Sequence, residues 1–325
     1  MNTDGPLLRV ENIKKYFSSR KQFLGSAPKT VKAVDDVSFE LFRGETLGVV
    51  GESGCGKSTL GRAILRLHEP DSGRIVYDGT DLLSLNKSEM RDYRQRMQII
   101  FQDPYASLNP RMTVKELICA SLDVFGIGTK AERIDMVLDI MEKVGLPLGY
   151  LNRYPHEFSG GQRQRIMIAR ALVLNPDFVI GDEPVSALDV SVRAQVLNLM
   201  KDLQQELSLT YLFISHDLSV VRYLCDRVMV MYLGKVMEIA ARDELYSDAK
   251  HPYTQALLSS IPIPDVDAAK RRIRLSGDVP SPFNPPSGCR FHTRCVNARP
   301  ECSQSEPELK DMGNGHMAAC HFCDH

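Results

Sequence analysis

The chain has 325 residues, enough for one large domain with an appendage or for two domains, and its 43% hydrophobic and 25% charged composition can bury a sizeable core. With 40 Lys+Arg against 41 Asp+Glu the formal net charge is -1, which excludes a global pull toward nucleic acid or anionic lipid but leaves local patches open. No stretch reaches the about 20 consecutive apolar residues of a membrane span; the most apolar helical run, residues 166–174, is short and broken by Arg170. Residues 1–8 lack a basic segment followed by an apolar one, so a cytoplasmic location is expected, with membrane contact only through a partner.

In chain order, residues 37–42 and 45–50 read as strands around a Gly44 turn. The second strand runs into a glycine-rich loop and a helix over about 57–67. Residues 73–78 suggest another short strand, 81–96 a polar helix, and 97–101 a buried strand. Residues 113–144 are helix-rich, interrupted near Gly126 and Gly128. Ser159 suits the N-cap of a helix that Asn175-Pro176 ends. Strand runs follow at 178–181, 211–214 and 228–232, with a helix over 190–207 between the first two. Strands alternating with helices predict an α/β core with a parallel sheet. The texture changes after about residue 258, where a Pro-rich stretch (262–286) leads into a Cys-rich tail, and a boundary is placed near 255–262.

Gly51-Glu52-Ser53-Gly54-Cys55-Gly56-Lys57-Ser58, followed by Thr59, fits the phosphate-loop pattern between an apolar strand and a helix. Glycines let backbone amides turn toward phosphates, and the helix N-terminus adds its positive dipole end. Lys57 is expected on the β- and γ-phosphates and Ser58 on Mg²⁺. The apolar run 178–181 ends in Asp182 and Glu183, which sets carboxylates at the edge of the sheet where open α/β sheets bind ligands. Asp182 is the candidate Mg²⁺ holder and Glu183 the candidate general base.

Eight cysteines are present, five of them between Cys289 and Cys323. In a reducing compartment such a cluster suggests metal before disulfides. Cys289, Cys295, Cys302 and Cys320 are spaced more widely than the pairs of a structural zinc site, and four thiolates also suit a [4Fe–4S] centre. From the residues alone, iron–sulfur, zinc and simple packing all stay open.

Ser159-Gly160-Gly161-Gln162-Arg163-Gln164-Arg165 resembles the signature sequence of ABC (ATP-binding cassette) ATPases, with Phe158 where Leu is commonest. With the motifs above, the resemblance covers residues 7–245. It implies a P-loop core with a parallel sheet, an N-terminal antiparallel β subdomain and an inserted helical subdomain (about 103–160). It implies an ATP-binding domain over 1–255 and an extension over 256–325. It also implies that ATP is sandwiched between the phosphate loop of one subunit and the signature (Ser159 to Gln162) of another. By the same resemblance Gln102 is the glutamine that touches Mg²⁺ and senses the membrane partner. Asp189 crosses the dimer interface, His216 contacts the γ-phosphate, and Phe17, with Tyr16 as the neighbouring candidate, stacks on adenine.

His251-Pro252-Tyr253-Thr254, the Pro-rich stretch and Gly288-Cys289-Arg290-Phe291-His292-Thr293-Arg294-Cys295 resemble the C-terminal extension of dipeptide and oligopeptide importer ATPases. Some members carry a [4Fe–4S] cluster at these places, with Cys289, Cys295, Cys302 and Cys320 as its ligands here; zinc is the alternative, and Cys323 is a spare thiol. The resemblance implies a second, distinct ATPase subunit, two permease subunits, an extracytoplasmic solute-binding protein and a peripheral location on the cytoplasmic face of the cell (inner) membrane. The competing class is a soluble ABC-type ATPase acting on nucleic acid, ribosomes or iron–sulfur assembly. Such proteins usually show tandem cassettes, a long coiled coil or a basic surface. A single helical subdomain between Lys57 and Ser159 leaves no room for a coiled-coil arm, and no nucleic acid is expected as partner.

Overall fold

The structure is a computed structural model that describes residues 5–18, 30–261 and 273–323. Much of the expected Pro-rich stretch, 262–272, and one end of the expected boundary lie outside the described residues. The chain divides into two compact units. The first combines Met1–Leu41, Leu47–Leu83 and His216–His325; the second combines Phe42–Thr46 and Ser84–Ser215.

Along the chain, β1 (Leu8–Ser18), β2 (Thr30–Leu41) and β3 (Thr46–Val50) precede helix α1 (Lys57–Ile64). Then come β4 (Ser72–Tyr77), β5 (Thr80–Asp81), α2 (Lys87–Arg96), β6 (Met97–Ile100) and α3 (Pro104–Ser107). The helical stretch is α4 (Val114–Phe125), α5 (Lys130–Lys143) and α6 (Gly160–Leu172). It is followed by β7 (Phe178–Asp182), α7 (Val190–Leu207), β8 (Thr210–Ile214) and α8 (Leu218–Leu224). Strands β9 (Arg227–Tyr232) and β10 (Lys235–Ala241), helices α9 (Arg242–Ser247), α10 (Pro252–Ser259) and α11 (Pro300–Gln304), and the short strands β11 (Lys310–Asp311) and β12 (Met317–Ala318) complete the order. No helix among the described residues is long and apolar enough to cross a membrane.

In the first unit β1 pairs antiparallel with β2 on one side and β4 on the other, and β5 joins β4. This is the antiparallel β subdomain expected near the N-terminus. A further set runs β11-β12-β10-β9-β3. Within it β3 and β9 are parallel, whereas β9, β10, β12 and β11 alternate in direction. Every residue of β3 is buried, as in a strand covered on both faces. In the second unit β6, β7 and β8 lie side by side and parallel. β7 and β8 are buried throughout, and their apolar runs show no alternation for the same reason.

The helices start where side chains satisfy the first orphan amides. Asn86 with Glu89, Thr113 with Glu116, and Thr129 with Glu132 form reciprocal capping boxes on α2, α4 and α5. A cap of this kind stabilises a helix by about 1 kcal/mol. The expected break near Gly126 and Gly128 is present: Gly126 closes α4 at φ 69° and Thr129 opens α5. The expected polar helix over 81–96 is shorter, because a single helical turn at Leu82–Ser84 precedes the Asn86 cap. Strands β1 and β10, helices α3 and α8 to α11, and the strands of the tail carry no sequence expectation above.

Candidate functional site

The first unit holds the glycine loop. β3 delivers the chain to Gly51, and Gly56 is the N-cap of α1. Two of these glycines are dictated by space as well as by backbone angle. Gly51 has φ +151°, and a Cβ there would sit 2.1 Å from the Met231 carbonyl oxygen; Gly56 has φ +107°, and a Cβ would sit 1.9 Å from the Ala33 carbonyl oxygen. Lys57, the first residue of α1, is buried, and its Nζ donates to the carbonyl oxygens of Gly51 (2.7 Å) and Glu52 (3.1 Å). Its ammonium is thus held inside the curl of the loop. Cys55 is buried beneath it, 3.8 Å from Nζ, and burial pushes that thiol up. Ser58 and Thr59 lie in the first turn of α1, while Ser53 and Gly54 form the bend before it.

Phe17, at the end of β1, is 39% exposed, with its ring edge-on to His68 (5.4 Å between centroids) and Lys15 Nζ 5.4 Å from its centroid. The neighbouring Tyr16 is engaged, since its hydroxyl donates to Asp35. Of the two adenine-stacking candidates, Phe17 is exposed and Tyr16 half-buried. His216 is exposed, one residue before Asp217, the N-cap of α8.

The second unit holds the acidic strand end and the signature helix. Asp182 ends β7 and is buried. Glu183 follows at φ 50°, its amide donating to the Ile214 carbonyl oxygen at 3.0 Å. Gln102 Nε2 donates to Glu183 Oε2 at 3.0 Å, so the structure brings these two candidates together across 81 positions. Ser159 caps α6 and Gln162 returns the bond: the Gln162 amide reaches Ser159 Oγ at 3.4 Å, and the Ser159 amide reaches Gln162 Oε1 at 3.0 Å. The capping expectation for Ser159 is thereby met. Gly161 faces α7 so closely that a Cβ would lie 2.3 Å from Val192 Cγ1. Asp189 is exposed and caps α7, accepting from the Val192 amide (3.0 Å) and Ser191 Oγ (2.8 Å); those bonds hold its carboxyl below the usual range.

In the tail, Cys289, Cys295, Cys302 and Cys320 line one cavity of about 80 Å³ together with Cys323 and His251. The Cys289 amide donates to the Cys302 carbonyl oxygen at 2.8 Å, which ties two of the thiol-bearing segments. Burial, with the neighbouring thiols adding, pushes Cys289 up to about 11. No three His, Cys, Asp or Glu side chains among the described residues are grouped as metal ligands. Sequence reasoning missed what the segment between Cys289 and Cys295 touches. Arg294 donates twice to Glu52 inside the glycine loop, and the Tyr253 hydroxyl accepts from the Glu52 amide. These partners are some 200 residues apart, and no local pattern announces them.

A family model described as ABC transporter matches residues 34–186, and one described as oligopeptide/dipeptide transporter, C-terminal region, matches residues 237–302. A putative peptide import ATP-binding protein of Brucella ovis is 56% identical over 318 residues, covering 98% of each chain. The oligopeptide transport ATP-binding protein AppF of Bacillus subtilis is 54% identical (97% of each chain), and the dipeptide transport ATP-binding protein DppF of Escherichia coli is 53% identical (98% of this chain, 95% of that one). Among solved structures, cbiO1 of Clostridium perfringens, part of an ABC transporter complex, superposes with a TM-score of 0.64 at 26% identity, over 75% of this chain and 92% of that one. The cassette MJ0796, solved as a dimer with ADP and Pi, gives 0.62 at 28% identity, over 72% and 98%. Fold and motifs together define a P-loop ATPase of the ATP-binding cassette class. The chain belongs to the ABC transporter family, in its dipeptide and oligopeptide importer group, as an ATP-binding subunit.

Proposed function

We propose that this chain is the ATP-hydrolysing motor subunit of a membrane importer for dipeptides or oligopeptides. One observation carries the reading: a complete set of nucleotide motifs, from Gly51 to His216, is joined in one chain to a C-terminal region that matches that of oligopeptide/dipeptide transporters. Residues 1–255 then form the ATP-binding domain, with its helical subdomain over about 103–160, and 256–325 the extension.

In this reading the loop amides of Gly51, Ser53, Gly54, Cys55 and Gly56 wrap the phosphates, and Lys57 and Thr59 bind their oxygens. Ser58, Asp182 and Gln102 hold Mg²⁺, which neutralises charge on the phosphate oxygens. Glu183 accepts a proton from the attacking water, and His216 donates to the γ-phosphate. Phe17 stacks on adenine. Ser159, Gly160, Gly161 and Gln162 present a helix N-terminus to the phosphate bound by a second subunit, and Asp189 meets that subunit's loop. The second subunit is a related but distinct ATPase, so the motor is a heterodimer. Two permeases lie above it at the cytoplasmic face of the cell (inner) membrane, and a solute-binding protein delivers peptide from outside. Tagged chain expressed with its native neighbours is expected to co-purify with two integral membrane proteins and a second ATPase. Isolation with ribosomes or nucleic acid instead would overturn the importer reading.

We infer that the tail binds a cluster. Cys289, Cys295, Cys302 and Cys320 supply four thiols around one cavity, the donor set of a [4Fe–4S] group, with zinc as the alternative. Ligation takes thiolates, so loading releases protons, and retention should weaken as pH falls. Anaerobically purified chain is expected to be brown and to carry about four iron per chain, both lost in Cys295→Ser. A colourless protein with stoichiometric zinc would end the iron–sulfur assignment.

A further inference from the structure

The segment from Cys289 to Cys295 reaches the glycine loop and strand β2, which pairs with the strand that carries Phe17. Arg294 Nη1 donates to Glu52 Oε2 at 2.7 Å and Nη2 to Glu52 Oε1 at 3.1 Å, a two-pronged ion pair. Its side chains are 9% and 26% exposed, so solvent screens it only in part. Arg294 Nη1 also donates to the Tyr232 hydroxyl at 3.3 Å. The Glu52 amide donates to the Tyr253 hydroxyl at 2.9 Å, so both ends of Glu52 are held by residues from outside the loop. Phe291 packs against Tyr232 (5.4 Å between centroids) and Tyr253 (5.2 Å), closing an aromatic cluster behind the loop. Four residues before Arg294, the buried Arg290 pairs with Asp35 and donates to the Leu233 carbonyl oxygen; Asp35 in turn accepts from Tyr16, next to Phe17.

Two physical consequences follow for nucleotide binding. A glycine-rich loop loses much conformational freedom when its amides converge on phosphates, and bracing it beforehand lowers that cost. Glu52 also places a carboxylate in a loop that must accept a highly anionic ligand. Unpaired, it would repel the phosphates; paired with Arg294, its charge is balanced.

We propose that Arg294 is a positioning residue for ATP binding: through Glu52 it holds the phosphate loop in shape and cancels a carboxylate that would otherwise oppose the phosphates. The proposal rests on the reading that the loop around Lys57 binds ATP. It makes the C-terminal extension a working part of the nucleotide half-site.

The test measures affinity of the full chain for MgATP, MgADP and AMP with fluorescent analogues, alongside thermal unfolding. Arg294→Ala should weaken MgATP binding roughly tenfold, the scale of a charge-assisted hydrogen-bonded pair discounted for partial exposure. The loss should grow from AMP to ATP, and Arg294→Lys should recover part of it. Glu52→Gln placed on top of Arg294→Ala should restore affinity to within about threefold of the parent, since the offending charge is gone. A brace with a purely structural role would not be rescued in this way. Unchanged MgATP affinity in folded Arg294→Ala, or a double variant as weak as the single one, would overturn the proposal. A parent chain with no affinity for MgATP would instead remove the ATP-binding reading beneath it.

Discussion

A chain carrying Glu183→Gln is expected to bind MgATP about as well as the parent and to hydrolyse it roughly 10²–10⁴-fold more slowly, the range a lost general base accounts for. The geometry makes this a clean substitution. The backbone of Glu183 is fixed by its left-handed φ of 50° and by its amide bond to Ile214, neither of which depends on the side chain's charge. Gln102 now donates to Glu183 Oε2 at 3.0 Å, and an amide oxygen in the same place can still accept that bond. What disappears is the ability to take a proton from water. Bound ATP should then persist and hold this chain to its partner ATPase, which size-exclusion chromatography of the two together, with and without MgATP, would show as an ATP-dependent shift to the dimer. Parent-like steady-state turnover by this variant would remove Glu183 from its role.

Lys57→Ala should act earlier, on binding itself. The side chain is 5% exposed, and its ammonium donates to two carbonyl oxygens of its own loop, at 2.7 and 3.1 Å. Removing it deletes the charge meant for the phosphates and leaves Gly51 and Glu52 carbonyls without that donor, so loop shape and attraction fail together. A loss of MgATP affinity of about 10²-fold or more is expected, since charge-assisted hydrogen bonds are each about 1.5–3 kcal/mol. Mixed with the partner ATPase, this variant should form no ATP-dependent dimer at MgATP concentrations that saturate the parent. Equilibrium titration with a fluorescent ATP analogue separates this outcome from the Glu183 variant, which keeps binding and loses turnover. Parent-like affinity in Lys57→Ala would mean that the loop does not grip phosphate.

What could be read in the sequence was whatever is local. Residues 51–58 carry loop, charge and helix start in one contiguous run, and the structure forms them as written. Ser159 and Gln162 are three apart, so their reciprocal cap follows from chain spacing alone. Strand β1 escaped because its pairing with β2 is irregular between Val10 and Tyr16, which breaks the alternation a half-buried strand normally shows. Strand β10 escaped for a different reason. It carries the charged Glu238 at a fully buried position, where Lys250 and His251 amides and His316 satisfy the carboxylate. A charged residue there argues for exposure until its three partners are known, and His316 lies 78 positions away. The Arg294–Glu52 pair lies further apart still, at 242 positions. The candidate site was thus legible as a set of parts. The contact that binds the tail to one of those parts was not.

The pairing of β12 with β10 at Glu238–Ala318 and Ile239–Met317 has a practical meaning for anyone who shortens this chain. Those few residues act as a guard rail along an outer strand whose amides and carbonyls would otherwise be open to any passing polypeptide. A version cut before Lys310 would both unmask that border and strand the Glu238 carboxylate without its imidazole partner. Clumping of such a fragment would then speak of an uncovered seam, and not of the way intact subunits assemble.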